Sequence, residues 1–146
     1  MGLRRIAREC ALQMLYQFDV GKHKPDEIRT TFWQMNEQPP KVQEFAGELF
    51  QGSIERLEEL DRLIQKHARN WRLGRMAAVD RNILRLSVYE LISDHRTPGT
   101  VVINEALEIA KKYSTGESAQ FVNGILDSIK NELLESEFPT KVGNSD

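Results

Sequence analysis

Arg4, Arg5 and Arg8 stand together at the start of the chain, and guanidinium groups so closely spaced offer chemistry suited to phosphate. Arg4 and Arg8 are four residues apart, about 6 Å along a helix axis and on one side of it. Helix stability does not explain the cluster, because cations are disfavoured near a helix N-terminus. An ordinary solvated helix start is the plain alternative. A second group lies far along the chain, where Tyr113, Glu117, Gln120, Phe121 and Asn123 flank a short polar turn. Proteins that read single-stranded RNA use flat rings to stack bases, polar groups to read base edges and cations to hold the backbone. The turn supplies the first two, and the arginines would supply the third if the two ends of the chain met in space. By spacing alone, Tyr113 and Phe121 read as core residues.

Other chemistry is sparse. His23, His67 and His95 occupy three separate loop or helix-end positions, without the spacing that puts two ligands on one metal. They read as surface histidines, and no metal or cofactor is expected. Glu58 and Glu59 are adjacent, so they point to different sides of a helix and share no reaction centre. No glycine-rich phosphate loop or serine elbow is present, and catalysis is the weaker hypothesis. Residues 66–85 carry Lys66, Arg69, Arg72, Arg75, Arg81 and Arg85 against Asp80 alone. Arg81 and Arg85 can equally form structural ion pairs with Asp80 and Glu90.

These groups need a scaffold, and 146 residues suffice for one domain that buries roughly two thirds of its unfolded surface. The chain is 40% hydrophobic and 29% charged, with a formal charge of -2. It has no apolar run near the roughly 20 residues of a membrane span. The charged first helix is unlike a secretory signal, so the cytoplasm is the expected location. The single cysteine, Cys10, excludes an internal disulfide and lies on an apolar helical face as a small core residue.

Apolar residues recur at helical spacing almost throughout, and the chain reads as all-α, with six to seven helices arranged as two small bundles. Cys10, Ala11, Met14, Leu15 and Phe18 form the inner face of the first helix, which ends at Gly21–Pro25. A second helix begins at Pro25 and runs to about Gln38. A third, long helix is expected from about Val42 to His67, with Leu49, Phe50, Ile54, Leu57, Leu60 and Ile64 as its stripe. Asn70–Gly74 breaks the pattern, with Trp71 read as a plug packing the joint. This break divides an N-terminal subdomain, about 1–70, from a C-terminal one, about 71–136. The helix over 78–93 leaves little of its circumference polar and is read as the central element. Thr100 is the expected N-cap of the next helix. A last helix starts near Glu117, and residues 137–146 read as a flexible tail.

Four blocks, in order, carry a resemblance: Arg4-Arg5-Ile6-Ala7-Arg8-Glu9-Cys10-Ala11 continuing to Tyr16, Val79-Asp80-Arg81-Asn82-Ile83-Leu84-Arg85-Leu86, Val102-Ile103-Asn104-Glu105-Ala106, and Phe121-Val122-Asn123-Gly124-Ile125-Leu126-Asp127. Over about residues 4–130 the chain resembles the NusB family of bacterial transcription antitermination factors. The resemblance implies an all-helical adaptor, not an enzyme. It would bind single-stranded boxA RNA of ribosomal RNA leader transcripts together with NusE, a small-subunit ribosomal protein, within an antitermination complex with RNA polymerase. By the same resemblance RNA contacts fall to Arg4, Arg5, Arg8 and Tyr16 on the first helix and to Tyr113, Glu117, Gln120 and Phe121 at the later turn. The NusE surface falls to Asp80, Arg81, Arg85 and Glu90. Ile6 stands where some relatives have a further arginine and Gln120 where some have lysine, which implies fewer phosphate contacts. Two rivals belong to other classes. Similar helical domains are fused to ribosomal RNA cytosine methyltransferases, for which a chain of this length is expected to have no room. A self-associating, protein-only module is the other, since relatives occur as monomers or homodimers.

Overall fold

Helices carry most of the described residues of the computed structural model, which are residues 2–93 and 96–137. His95 and positions 138–146 of the expected tail lie outside them. The elements are α1 (Leu3–Asp19), α2 (Pro25–Met35), α3 (Pro40–Glu55), α4 (Leu57–His67), a 3-10 turn (Leu73–Arg75), α5 (Ala78–Ser93), α6 (Gly99–Tyr113) and α7 (Gly116–Glu137). Among the described residues there is no strand.

The helix ends follow local chemistry. Pro25 and Pro40 each occupy a first-turn position, where the missing N–H costs nothing. Asp26 and Glu27 then favour the positive end of α2. Thr115 caps α7: its Oγ1 accepts the backbone N–H of Ser118 at 3.0 Å. The expected N-cap at Thr100 is corrected, because α6 starts at Gly99 and the Pro98 carbonyl accepts the N–H groups of Val101 and Val102. The long helix expected over 42–67 is likewise two, parted at Arg56, whose φ of -111° and ψ of 21° leave the helical region.

α5 is the axis of the molecule. It packs on α1, α3, α4, α6 and α7, and its residues from Asn82 to Val88 are all buried. α1 packs on α3, α5 and α2, while α6 and α7 pack on each other. One continuous cluster of buried side chains runs through both halves of the chain, from Ala7, Met14 and Leu15 through Leu49, Phe50 and Leu84 to Ile109, Leu126 and Ile129. Cys10 belongs to it, and burial, followed by the charge of Glu9, pushes its thiol up to about 11. Gly52 on α3 is required by a close approach, since a Cβ there would fall inside the phenol of Tyr89 on α5.

α4 and α7 are joined at the surface. His67 lies between Ser128 Oγ, at 2.6 Å from Nδ1, and Glu132 Oε1, at 2.8 Å from Nε2, and Lys66 reaches the same Glu132 oxygen.

Candidate nucleic-acid interface

The turn between α6 and α7 lies against α1. Tyr113, the last residue of α6, donates its hydroxyl to Glu9 Oε1 at 2.8 Å, and Lys112 Nζ reaches the same oxygen at 2.8 Å. The Lys112 ammonium stands 5.4 Å from the Tyr113 ring centroid. Burial, and then the bond to Glu9, raises the Tyr113 phenol above its ordinary value. The hydrogen bond to Glu9 likewise raises Lys112. The arginine helix and the aromatic turn therefore meet, which is the condition for a composite surface.

The three arginines differ sharply in their surroundings. Arg4 is exposed, donates to Thr97 Oγ1 at 2.9 Å and lies 4.3 Å over the Phe45 ring. Arg5 grips Glu105 with Nε and Nη2 at 2.8 and 2.7 Å. Its guanidinium is raised by the hydrogen bond to Glu105 and then by that residue's charge. Arg8 is expected at a phosphate, and the structure places it in a buried ion pair. Its side chain is 6% exposed and holds Glu90, 1% exposed, at 2.9 and 2.6 Å. The face it shares with Ala7 and Ala11 points inward, so this cation ties α1 to α5. Ile6 packs against the core beside it. Tyr16 is exposed further along α1.

Phe121 and Trp71 form a second aromatic feature beyond the turn. Their rings meet edge to face at 5.9 Å and wall a groove of about 380 Å³ that Arg75, Asp80, Thr115 and Glu117 also line. Trp71 is 57% exposed, so it is a wall of this groove and not the expected plug. Arg75 makes no ion pair among the described residues. The groove is fastened at the starts of α5 and α7, where Ser118 Oγ donates to Asp80 Oδ2 at 2.9 Å. Asp80 Oδ1 is buried without a hydrogen-bond partner. Glu117 and Gln120 are exposed, but only Glu117 reaches the groove.

Among the described residues, the α5 charges expected to meet a partner are placed in ion pairs within the chain, Asp80 excepted. Glu90 is taken by Arg8. Arg85 holds Asp61 with Nε and Nη2 at 2.7 and 2.9 Å, and Arg81 holds Asp19 at 2.7 Å while donating to the carbonyls of Leu73 and Met76. Buried charges are retained where they are paired, and these pairs tie α5 to its neighbours. Asp80 lines the groove but is itself only 7% exposed, and Arg81 is the least buried of the four. None of the expected pairs between Asp80 or Glu90 and Arg81 or Arg85 forms among the described residues.

Sequence reading passed over Glu9, Lys112 and Glu105. Lys112 could have been noticed beside Tyr113, whereas Glu9 meets partners 103 and 104 residues away and has no local signature. No cluster of histidine, cysteine or carboxylate side chains among the described residues is placed to hold a metal ion.

A sequence model described as the NusB family matches residues 5–131. The chain belongs to the NusB family. The transcription antitermination protein NusB of Koribacter versatilis (strain Ellin345) is 52% identical over 133 residues, covering 90% of this chain and 91% of that one. T. maritima NusB shares 37% identity, with a TM-score of 0.82, over 90% of this chain and 92% of that one. A crystal structure of the antitermination factors NusB and NusE in complex with dsRNA contains a chain with the same TM-score of 0.82, at 31% identity, over 90% of this chain and 98% of that one. The residues matched by the family model, 5–131, include at least part of each of the seven helices described and of both halves of this surface.

Proposed function

We propose that this protein is a transcription antitermination factor, an RNA-binding adaptor that holds boxA RNA of ribosomal RNA leader transcripts together with NusE and supports processive transcription with RNA polymerase in the cytoplasm. Family membership and the NusB–NusE–RNA assembly of a relative support the reading. The observation that carries it is the pair of bonds from Tyr113 and Lys112 to Glu9, which joins aromatic turn and cationic helix on one face. No helix of the described residues is long and apolar enough to cross a membrane.

Each residue then has a physical role. Tyr113 and Phe121 stack bases, with Trp71 beside Phe121. Each stacked base contributes roughly 1–3 kcal/mol, more than a single exposed ion pair. Arg4, Arg5 and Lys112 neutralise phosphates, with Arg75 at the groove mouth, while Tyr16, Glu117 and Gln120 supply polar contacts. Arg8 contributes by fixing α1. Arg81, Arg85 and Glu90 serve NusE by fixing α5, and Asp80 by fastening α5 to α7 through Ser118.

The test is the affinity for a short boxA-type RNA and for a scrambled RNA of equal length, each with and without NusE. Sequence-dependent binding that NusE strengthens is expected. Equal weak binding to both RNAs, unchanged by NusE, would overturn the proposal.

A further inference from the structure

Three cations on or against α1 are already matched by carboxylates of the same protein. Arg5 holds Glu105, Arg8 holds Glu90, and Lys112 holds Glu9, so three positive charges meet three negative ones. The first two pairs are differently placed. The Arg8–Glu90 side chains are 6% and 1% exposed, which locks them, whereas those of Arg5 and Glu105 are 34% and 19% exposed and face solvent.

The Arg5 grip uses the same fork that a phosphate would use. A guanidinium binds carboxylate or phosphate through two parallel N–H bonds in one plane. Here Nε and Nη2 are both occupied, by the two oxygens of Glu105. A phosphate that takes this edge of Arg5 must displace Glu105. The displaced carboxylate has somewhere to go, because Glu105 Oε1 already lies 3.9 Å from Arg8 Nη1. Arg8 stays committed to Glu90, so a displaced Glu105 is only partly compensated and remains open to cations from solution.

We propose that Glu105 is an internal counter-charge that occupies Arg5 in the RNA-free protein, is displaced by an RNA phosphate, and thereby sets the strength and salt dependence of RNA binding on the α1 face. The inference rests on the reading that this face meets RNA. It makes Glu105 a regulator of affinity with no contact to a base. The exchange should act alike on every sequence, because phosphates carry no sequence information. It should also flatten the salt response. Each phosphate neutralised on a single strand contributes roughly -0.7 to the slope of log affinity against log salt, but a carboxylate released at the same time gathers cations back.

The test is RNA binding by Glu105→Gln, Arg5→Gln and the double variant, measured on boxA-type and scrambled single-stranded RNA from about 0.05 to about 0.3 M salt, with melting followed in parallel. Glu105→Gln is expected to tighten both RNAs about two- to fivefold, the range of one exposed ion pair, and to steepen the slope by up to about 0.7. The gain is expected to vanish in the Arg5→Gln background. Weakened binding by Glu105→Gln with unchanged melting would mean that Glu105 orients Arg5, and it would overturn the proposal. A gain of equal size without Arg5 would reduce the effect to net charge and overturn it too. Glu105→Ala, which removes the carboxylate without a hydrogen-bonding substitute, is measured beside Gln so that a folding defect in one variant does not decide the outcome. Preference for boxA over scrambled RNA reads the adaptor function separately, since the exchange is scored on both RNAs.

Discussion

Three arginines of one helix turn do three different things, and substitution should separate them. Arg8→Ala leaves Glu90 buried without its cation, and the expected loss is about 3–5 kcal/mol of stability, read as a lower midpoint in denaturant. An Arg8→Ala protein with unchanged stability and weakened RNA binding would instead return Arg8 to the phosphate contacts. Phe121→Ala is expected to weaken boxA binding by roughly 1–3 kcal/mol with little change in salt slope, whereas Lys112→Gln is expected to reduce the slope by about 0.7. Titration of RNA against each variant at several salt concentrations checks both. Arg4, Arg5, Tyr113 and Phe121 were legible as candidates because ring and cation types are visible in a sequence. The commitment of Arg8 was not, because Glu90 lies 82 residues away and nothing local distinguishes a paired arginine from a solvated one.

At the scale of elements, α5 was legible to within its ends because Ile83, Leu84, Leu86, Val88, Leu91 and Ile92 spread apolar groups around more than one face, as in a helix packed on several sides. The break at Arg56 was not. Leu49, Ile54, Leu57, Leu60 and Ile64 keep their spacing through it, and the Gly52–Arg56 and Arg56–Leu60 backbone bonds persist at 3.1 and 2.9 Å. Only the dihedrals of one residue depart, and neither proline nor glycine marks the place. The α3–α5 contact makes a sharper prediction. Alanine at a helical glycine ordinarily stabilises by up to about 1 kcal/mol, but at Gly52 the Tyr89 phenol occupies the space, and Gly52→Ala is expected to cost about 1–3 kcal/mol. Thermal melting checks the sign. The ties between helices also respond to acid. The Arg5 hydrogen bond and charge hold Glu105 below its ordinary 4.5, and Lys66 and then His67 do the same for Glu132. Burial alone would raise Asp19, yet the bonds from Arg81 and Asn82 bring it below 3.8. Carboxyls depressed in the folded state stabilise it fully above their ordinary values and lose that contribution as pH falls through the depressed ones. The melting temperature is therefore expected to fall progressively below about pH 4.5, and Glu105→Gln should make that fall shallower.

The whole molecule is slightly acidic, at -2, although its chemistry points to a polyanion. Affinity should then come from local groups, and a slope of about -2 is expected for boxA-type RNA, that of Arg4, Lys112 and Arg75, since the Arg5 contact is offset by release of Glu105. A slope beyond about -4 would require a broad basic surface that the paired cations do not provide. The all-helical class could be read from the sequence because spacing reports which face is buried. The groove between Trp71 and Phe121 could not, because it arises only where the starts of α5 and α7 are fastened by Ser118 and Asp80. The burial of Cys10 has a practical reach. It is the only sulfhydryl in the chain, and with its thiol near 11 it should ignore maleimides at neutral pH. A cysteine introduced anywhere on the surface would thus be the sole point of dye attachment, and fluorophores on α1 and on the α6–α7 turn could report RNA arrival without first deleting a native residue.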